Sequence, residues 1–273
     1  MATATLLSRL DPDVTVPRFE CRYCRPPVTD VLVVAAEHRP WSNAAAMGAA
    51  IAGHWRASLT VCSTSATDQQ AAPGRTEALA DAFHIPNSEF VAGGAWSGDA
   101  VAALAPWHSL IVADLELFAP GGTFAAAARV MRASQRPWLL VPHGASPVRT
   151  FKNILIAWDG SACSTRAFQA AWPFLAQADA IQILDGSTPP SADDVTHRTP
   201  ERYLRAHGYA CEVVTNQWKG EAAGEGMLAT ARQWPADLLV LGAFGKALWQ
   251  EEWFGGTSRH VLACADLPIL IAH

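Results

Sequence analysis

The sequence has little charge, no long apolar run and few cysteines, and each shortage excludes a class of protein. Only 16% of its 273 residues are charged, with 20 Lys+Arg against 25 Asp+Glu, so nucleic acid and anionic membranes are disfavoured as partners. No stretch approaches the roughly 18–20 uninterrupted apolar residues of a membrane span. Six cysteines are too sparse for a disulfide scaffold. The first residues lack the basic and then apolar order of a secretory signal, so we expect a cytoplasmic protein.

Hydrophobic residues make up half of the chain, and they recur in an order that repeats once. The separation between matching segments changes by only a few residues along the chain, which indicates one fold used twice. At roughly 150 residues per domain, the length also predicts two domains. Four pairs of segments carry the repeat: 31–36 with 154–159, 110–114 with 238–242, 121–123 with 255–257, and 137–143 with 268–273.

Each half alternates short runs rich in Val, Ile and Leu with Ala-rich stretches of helical spacing. Continuous apolar runs are typical of strands that are buried on both faces of a parallel sheet, and the alternation predicts an α/β fold with right-handed crossovers. We predict strands near 30–36, 58–63, 88–92, 109–114, 138–142, 152–158, 180–184, 210–215, 237–242 and 268–272. We predict helices near 43–55, 75–84, 98–105, 123–134, 163–177, 200–207, 221–234 and 256–264.

Proline and glycine positions divide the chain. Residues 1–27 are predicted to be an N-terminal extension, residues 28–145 a first domain and residues 150–273 a second domain. The segment 142–148, with two prolines and a glycine, is predicted to be the linker.

A ligand in an open parallel sheet binds beyond the carboxyl ends of the strands, where the strand order reverses. In the second half that region holds Asp159 and the spacing Gly242-x-x-Gly245, nine residues, then Gly255-Gly-Thr-Ser258. Glycines let a backbone approach a ligand closely, and N–H groups at a helix start favour phosphate. The alternative is that these glycines only shape tight turns and bind nothing.

Residues 237–245, 254–262 and 267–271 resemble the closing signature of the universal stress protein family, and residues 151–161 resemble its opening strand and turn. Together these segments cover the second half. The first half is similar in layout but lacks the motifs, so the whole chain resembles a tandem universal stress protein.

The resemblance implies two open, five-stranded parallel sheets flanked by helices, Rossmann-like and paired through their last strands. It also implies an adenine nucleotide, ATP or ADP with Mg²⁺, bound by the second half, and a regulatory or protective role under stress rather than efficient catalysis. Asp159 would lie near the nucleoside, and the backbone at Leu184 would face the adenine. The residues implied at this site are Asp159, Gly160, Leu184, Gly242, Gly245, Gly255, Gly256, Thr257 and Ser258.

Two departures from the family pattern keep a second function open. Gly256 stands where the pattern has Ser or Thr, and Glu251 and Glu252 would oppose a triphosphate. The alternative is an interaction module that binds no nucleotide and acts through an unknown protein partner or a homodimer. A third possible function is that of an enzyme of the wider adenine-nucleotide-binding α/β group. The sequence shows no nucleophile, base and acid in a convincing arrangement, so we predict no catalytic residues.

The first half has lost the ligand signature. Ala36 takes the place of Asp159, and Asp114 takes the place of Gly242, where a carboxylate would repel phosphate. We expect Asp114 to be structural, or to accept a different ligand.

Three further signals are given structural interpretations. Cys21-x-x-Cys24 has the spacing of half a zinc site, but no second pair follows, and we predict no metal. Asp185-Gly-Ser187 repeats the Asp-Gly-Ser of residues 159–161 and is predicted to be a turn. The remaining cysteines are expected to pack as small hydrophobic residues: Cys62, Cys163, Cys211 and Cys264.

Overall fold

The architecture comes from a computed structural model. It describes residues 27–35, 42–63, 72–92, 99–119, 124–187, 199–216, 218–219, 221–242 and 256–273. The predicted N-terminal extension, with Cys21 and Cys24, falls almost entirely outside these residues, and the domain boundaries stay a prediction.

Strands and helices alternate through both halves. The strands are β1 Asp30–Ala35, β2 Ser58–Ser63, β3 Ser88–Ala92, β4 Leu110–Asp114, β5 Trp138–Val141, β6 Asn153–Trp158, β7 Ala180–Asp185, β8 Glu212–Thr215, β9 Leu238–Gly242 and β10 Ile269–Ala272. The helices are α1 Asn43–Trp55, α2 Ala72–Ala82, α3 Asp99–Leu104, α4 Phe124–Ser134, α5 Ala162–Ala170, α6 Trp172–Leu175, α7 Pro200–Ala206, α8 Glu221–Gln233 and α9 Gly256–Cys264.

The strands form one sheet in the order β3-β2-β1-β4-β5-β10-β9-β6-β7-β8. All neighbours are parallel except β5 and β10, which pair antiparallel with Leu139 opposite Leu270. The α/β class and the flanking helices are thereby confirmed, and the two predicted five-stranded sheets are joined through their last strands into a single sheet. Because β5 and β10 are antiparallel, the strands of the two halves run in opposite directions. The carboxyl ends of the strands in one half therefore lie at the same edge of the sheet as the amino ends of the strands in the other half.

The hydrophobic core is continuous across the joint on both faces of the sheet. On one face Leu139 and Leu270 belong to a cluster that includes Val31 of β1 and Ile183 of β7. On the other face Trp138 and Ile271 belong to a second cluster that also draws on both halves. The apolar runs of the central strands are buried on both sides, as expected for parallel strands covered by helices.

The predicted helix over 163–177 is wrong in one respect, because the structure divides it into α5 and α6 at Ala171. Pro173 lies in the first turn of α6, and it has no N–H for an interior helical hydrogen bond. Its ring would also clash with the carbonyl four residues before it, so a new helix begins instead.

The predicted linker is fastened to the first half. The side-chain amide of Asn43 donates to the Ala145 carbonyl at 2.7 Å, and the backbone N–H of Val148 points at Met47 Sδ at 3.3 Å. A further contact joins the halves where His54, at the end of α1, hydrogen-bonds Gln177 at 2.8 Å.

Candidate functional site

The candidate site lies at the carboxyl edge of the second half, between β6 and β9. The chain runs outward from β6 through β7 to β8, and then returns to the other side of β6 with β9 and β10. This is the point where the strand order reverses, because the connection after β6 leads to α5 on one face of the sheet and the connection after β9 leads to α9 on the other. Open α/β sheets have their ligand crevice at such a point.

Asp159, Gly160 and Ser161 form the turn that leaves β6. The Ser161 N–H donates to Asp159 Oδ1 at 2.9 Å, and Gly160 has φ +78°, a conformation that side chains disfavour. Ser161 then caps α5, because its hydroxyl accepts the Ser164 N–H at 3.1 Å. The Asp-Gly-Ser sequence thus ends the strand, makes the turn and starts the helix.

The Asp159 carboxylate is exposed at this edge. Partial burial raises its pKa, but hydrogen bonds from the hydroxyl and the N–H of Ser161 and from Ser164 outweigh that effect and hold the pKa below its ordinary value. The group is therefore an anion at neutral pH, and it can accept hydrogen bonds from a hydroxylated ligand.

Gly242, the last residue of β9, lies against the start of α5. A Cβ at this position would be 2.4 Å from the Ser164 nitrogen and 2.6 Å from the Cys163 carbonyl carbon. Contacts this short are not tolerated, so glycine is needed for the packing of β9 on α5. Packing therefore gives a reason for this glycine besides the ligand contact expected of it.

Leu184 lies inside the sheet rather than at its rim. It pairs with Ala157 on one side and Val214 on the other, and only 1% of the residue is exposed. The expected approach of its backbone to an adenine stays a prediction.

The residues that follow Leu184 form the rim. Asp185-Gly-Ser187 is a turn in which the Ser187 N–H donates to Asp185 Oδ1 at 2.8 Å. A Cβ at Gly160 would lie 3.5 Å from Ser187 Cβ, so the two Asp-Gly-Ser turns are adjacent. Sequence reasoning identified Asp185 as part of a turn but missed its place in the site. The repeated tripeptide at the ends of neighbouring strands was the available signal.

The buried indole of Trp158 adds a donor beneath these turns. Trp158 ends β6 with 7% exposure, and its Nε1–H has no acceptor among the residues that the structure describes. A buried N–H without a partner is costly, so a water molecule or a bound ligand would satisfy it.

The start of α9 forms the far side of the crevice. Gly256 is exposed, and Thr257 and Ser258 are half-buried in the first turn. Helix α8 packs closely behind, since a Cβ at Gly224 would lie 3.0 Å from the Thr257 carbonyl oxygen. Gly245, Gly255, Glu251 and Glu252 lie outside the described residues, so their predicted roles stay predictions.

This half of the chain matches a known family. A family model described as the universal stress protein family matches residues 150–273. The matched residues make up just under half of the chain, and that part of the chain is similar to this family. Among curated protein sequences none matches the chain.

Solved structures extend the universal stress protein fold to the whole chain. A universal stress protein from Archaeoglobus fulgidus is 14% identical with a TM-score of 0.64, covering 88% of this chain and 95% of that chain. A putative universal stress protein from Pseudomonas aeruginosa is 16% identical with a TM-score of 0.61, covering 90% and 93%. A protein of unknown function from the same species is 16% identical with a TM-score of 0.62, covering 90% and 92%. At these identities the likeness shows the fold alone, and it includes the half that the family model does not match.

The first half has a different arrangement at the position where the second half has its crevice. Asp114 ends β4 with 7% exposure, and its Oδ1 accepts the Ala44 N–H at 3.4 Å. At the same edge Glu116 accepts the His143 N–H at 3.0 Å. Ala36 lies outside the described residues.

The four cysteines that the structure describes differ in their exposure. Cys62 and Cys163 are buried, and burial raises the pKa of the Cys62 thiol to about 11. Cys211 is half-buried, and Cys264 is exposed. The expectation that all four pack as small hydrophobic residues is therefore wrong for Cys264, which is the last residue of α9 and faces away from the core.

Among the described residues no group of three or more His, Cys, Asp or Glu side chains is arranged to hold a metal ion. In the same part of the chain no helix is long and apolar enough to cross a membrane.

Proposed function

We propose that the C-terminal half binds an adenine nucleotide, ATP or ADP with Mg²⁺, in the crevice between β6 and β9. The protein would act in a regulatory or protective stress response in the cytoplasm, without efficient turnover. The observation that carries the proposal is that an exposed aspartate turn and a helix start flank the topological switch point of a universal stress protein domain. Open α/β sheets bind their ligands at this position.

The charges suggest how a nucleotide would lie. The anionic Asp159 would accept hydrogen bonds from ribose hydroxyls, and it would repel phosphates placed next to it. The phosphates would instead point toward the start of α9, where backbone N–H groups and the hydroxyls of Thr257 and Ser258 are donors. Asp185 adds a second negative charge at the β6–β7 rim, and Mg²⁺ on the phosphates would offset part of that charge.

Asp159→Asn tests this arrangement. The amide keeps the shape and one acceptor but removes the charge, so we expect ATP affinity by calorimetry to fall about tenfold, the loss typical of a charge-assisted hydrogen bond. Asp179→Asn is the matched control, because Asp179 is an exposed carboxylate at the amino edge of the same half, 3.4 Å from Lys152 Nζ. Equal affinity in the wild type and both variants would contradict the role of Asp159.

Released nucleotide tests the proposal without mutation. Protein that is purified, denatured and analysed by mass spectrometry should yield ATP, ADP or AMP. A nucleotide-free sample that also gives no heat with ATP would refute nucleotide binding. With ATP and Mg²⁺ we expect a turnover assay to show at most slow hydrolysis, and efficient turnover would instead support an enzyme.

A specific observation favours the second candidate, an interaction module that binds no nucleotide. Asp159 and Asp185 place two carboxylates on adjacent turns at the crevice, where they oppose a polyphosphate. Such a module would act through an unknown protein partner or a homodimer. It predicts the nucleotide-free outcome of the mass-spectrometric experiment, so the same measurement decides between the two functions.

A further inference from the structure

The side chain of Asp114 places a buried carboxyl group at the carboxyl edge of the first half. In the first half Ala113 of β4 pairs with Val34 of β1. In the second half Leu241 of β9 pairs with Ala157 of β6 in the equivalent position. The residue after Ala113, which is Asp114, therefore occupies the place that Gly242 has in the second half. Asp114 is only 7% exposed. A buried carboxylate needs a compensating partner, because burial alone disfavours the charged form.

The start of α1 supplies one such partner. The Asp114 carboxylate accepts the Ala44 N–H at 3.4 Å. The next two N–H groups are satisfied by Ser42: its hydroxyl accepts from Ala45 at 3.2 Å, and its carbonyl accepts from Ala46 at 3.2 Å. The first turn of this 13-residue helix is therefore supplied with acceptors from within the chain.

The second half cannot make this arrangement. Ser161 caps α5 as Ser42 caps α1, but β9 approaches α5 so closely that a Cβ at Gly242 would meet the Ser164 nitrogen at 2.4 Å. In the first half the space between the end of β4 and the start of α1 holds a complete carboxylate. The two halves thus differ in what lies between the strand end and the helix start. In the second half backbone packs directly on backbone, and in the first half the side chain of Asp114 lies between them.

We infer that Asp114 is an internal anionic ligand of α1 and closes the first half's counterpart of the crevice. A carboxylate at a helix N-terminus is stabilised by the helix dipole and by the free N–H groups, which are also the features that attract a phosphate. With this position filled by a fixed negative charge, a second anion is excluded from it. The inference holds whether or not the second half binds a nucleotide.

Asp114→Ala with added formate tests the inference. Removing the carboxylate leaves a small space at the helix start, and formate has the size and charge to fill it. We expect the Tm of Asp114→Ala to be lower than that of the wild type. We also expect formate to raise the Tm of this variant more than it raises the Tm of the wild type, with chloride at equal ionic strength as the reference salt. Asp81→Ala is the control, because Asp81 is an exposed carboxylate on α2 of the same half, and it should show neither effect.

Asp114→Asn keeps the volume and serves if the alanine variant does not fold. Loss of the charge alone should lower Tm by about 2–6 °C, from the typical strength of a charge at a helix end. An unchanged Tm in the asparagine variant would overturn the inference. So would a destabilised alanine variant in which formate acts no more strongly than in the wild type, since the carboxylate would then only fill space.

Discussion

Trp138 at the joint between the two halves allows a stability prediction of large size. It lies on β5 opposite Ile271 of β10 and is 0% exposed. Its ring meets Phe118 edge-on with centroids 5.9 Å apart, and its Nε1–H donates to Ser134 Oγ at 3.1 Å. Replacement by alanine removes the buried indole together with both of these side-chain interactions.

The expected cost of Trp138→Ala follows from these contacts. An indole buries about 150–250 Å², which at about 25 cal/mol per Å² is an upper bound of ~4–6 kcal/mol. The Ser134 hydroxyl keeps its bond to the Met131 carbonyl at 2.8 Å, so no buried donor is stranded. We therefore expect the free energy of unfolding to fall by about 3–5 kcal/mol, the usual range for such truncations.

Urea unfolding followed by far-ultraviolet circular dichroism measures this loss, and Trp107→Ala is its matched control. Trp107 is 80% exposed, so the same chemical change there should cost about 0.5 kcal/mol or less. Because both core clusters cross the β5–β10 joint, we also expect a single transition that shifts as a whole. A cost below about 1 kcal/mol at Trp138, or equal costs at the two positions, would refute the reasoning from burial.

Three further predictions concern oligomeric state, titration and thiol reactivity. The outer edge of β10 is already paired with β5, so light scattering should give the mass of one chain; a stable dimer would have to use another surface. The Asp159 carboxyl, followed by carbon NMR, should titrate below its ordinary pKa of 3.8. The stability that the Asp159 charge contributes is then fully present above pH 3.8, and it is lost as the pH falls through the lower pKa of the folded protein. A titration midpoint of Asp159 above 3.8 would contradict the hydrogen bonds assigned to its carboxylate. A thiol reagent should label the exposed Cys264 in the folded protein and leave the buried Cys62 unlabelled until the chain unfolds; early labelling of Cys62 would contradict its burial.

The strands could be predicted closely because their signal is local. A run such as Ile154–Leu155–Ile156 is apolar at every position, and only a strand covered on both faces hides such a run. The Ser42 and Ser161 caps are equally local, since a serine before a helix satisfies N–H groups three residues ahead. The break at Pro173 is local too, although the sequence reasoning joined α5 and α6 across it.

The candidate site could be predicted only in part. Asp159 and Gly242 follow apolar strands, so their place at the carboxyl edge was open to sequence reasoning. That Asp185 lies beside Asp159 depends on β7 pairing with β6, and that Gly242 packs on α5 depends on how closely a helix approaches a strand. Neither distance is encoded in the spacing of the residues along the chain.

The sequence by itself determined that this protein has two similar α/β halves, which strands each contains, and which half carries the glycine pattern. Only the tertiary structure decided that two cores run continuously across the joint between the halves, and that Asp114 is buried and hydrogen-bonded to α1. The physical reason is range. Periodicity and capping act over a few residues, whereas strand pairing and the burial of a carboxylate depend on groups that lie far apart along the chain, such as Ala44 and Asp114 or Leu139 and Leu270.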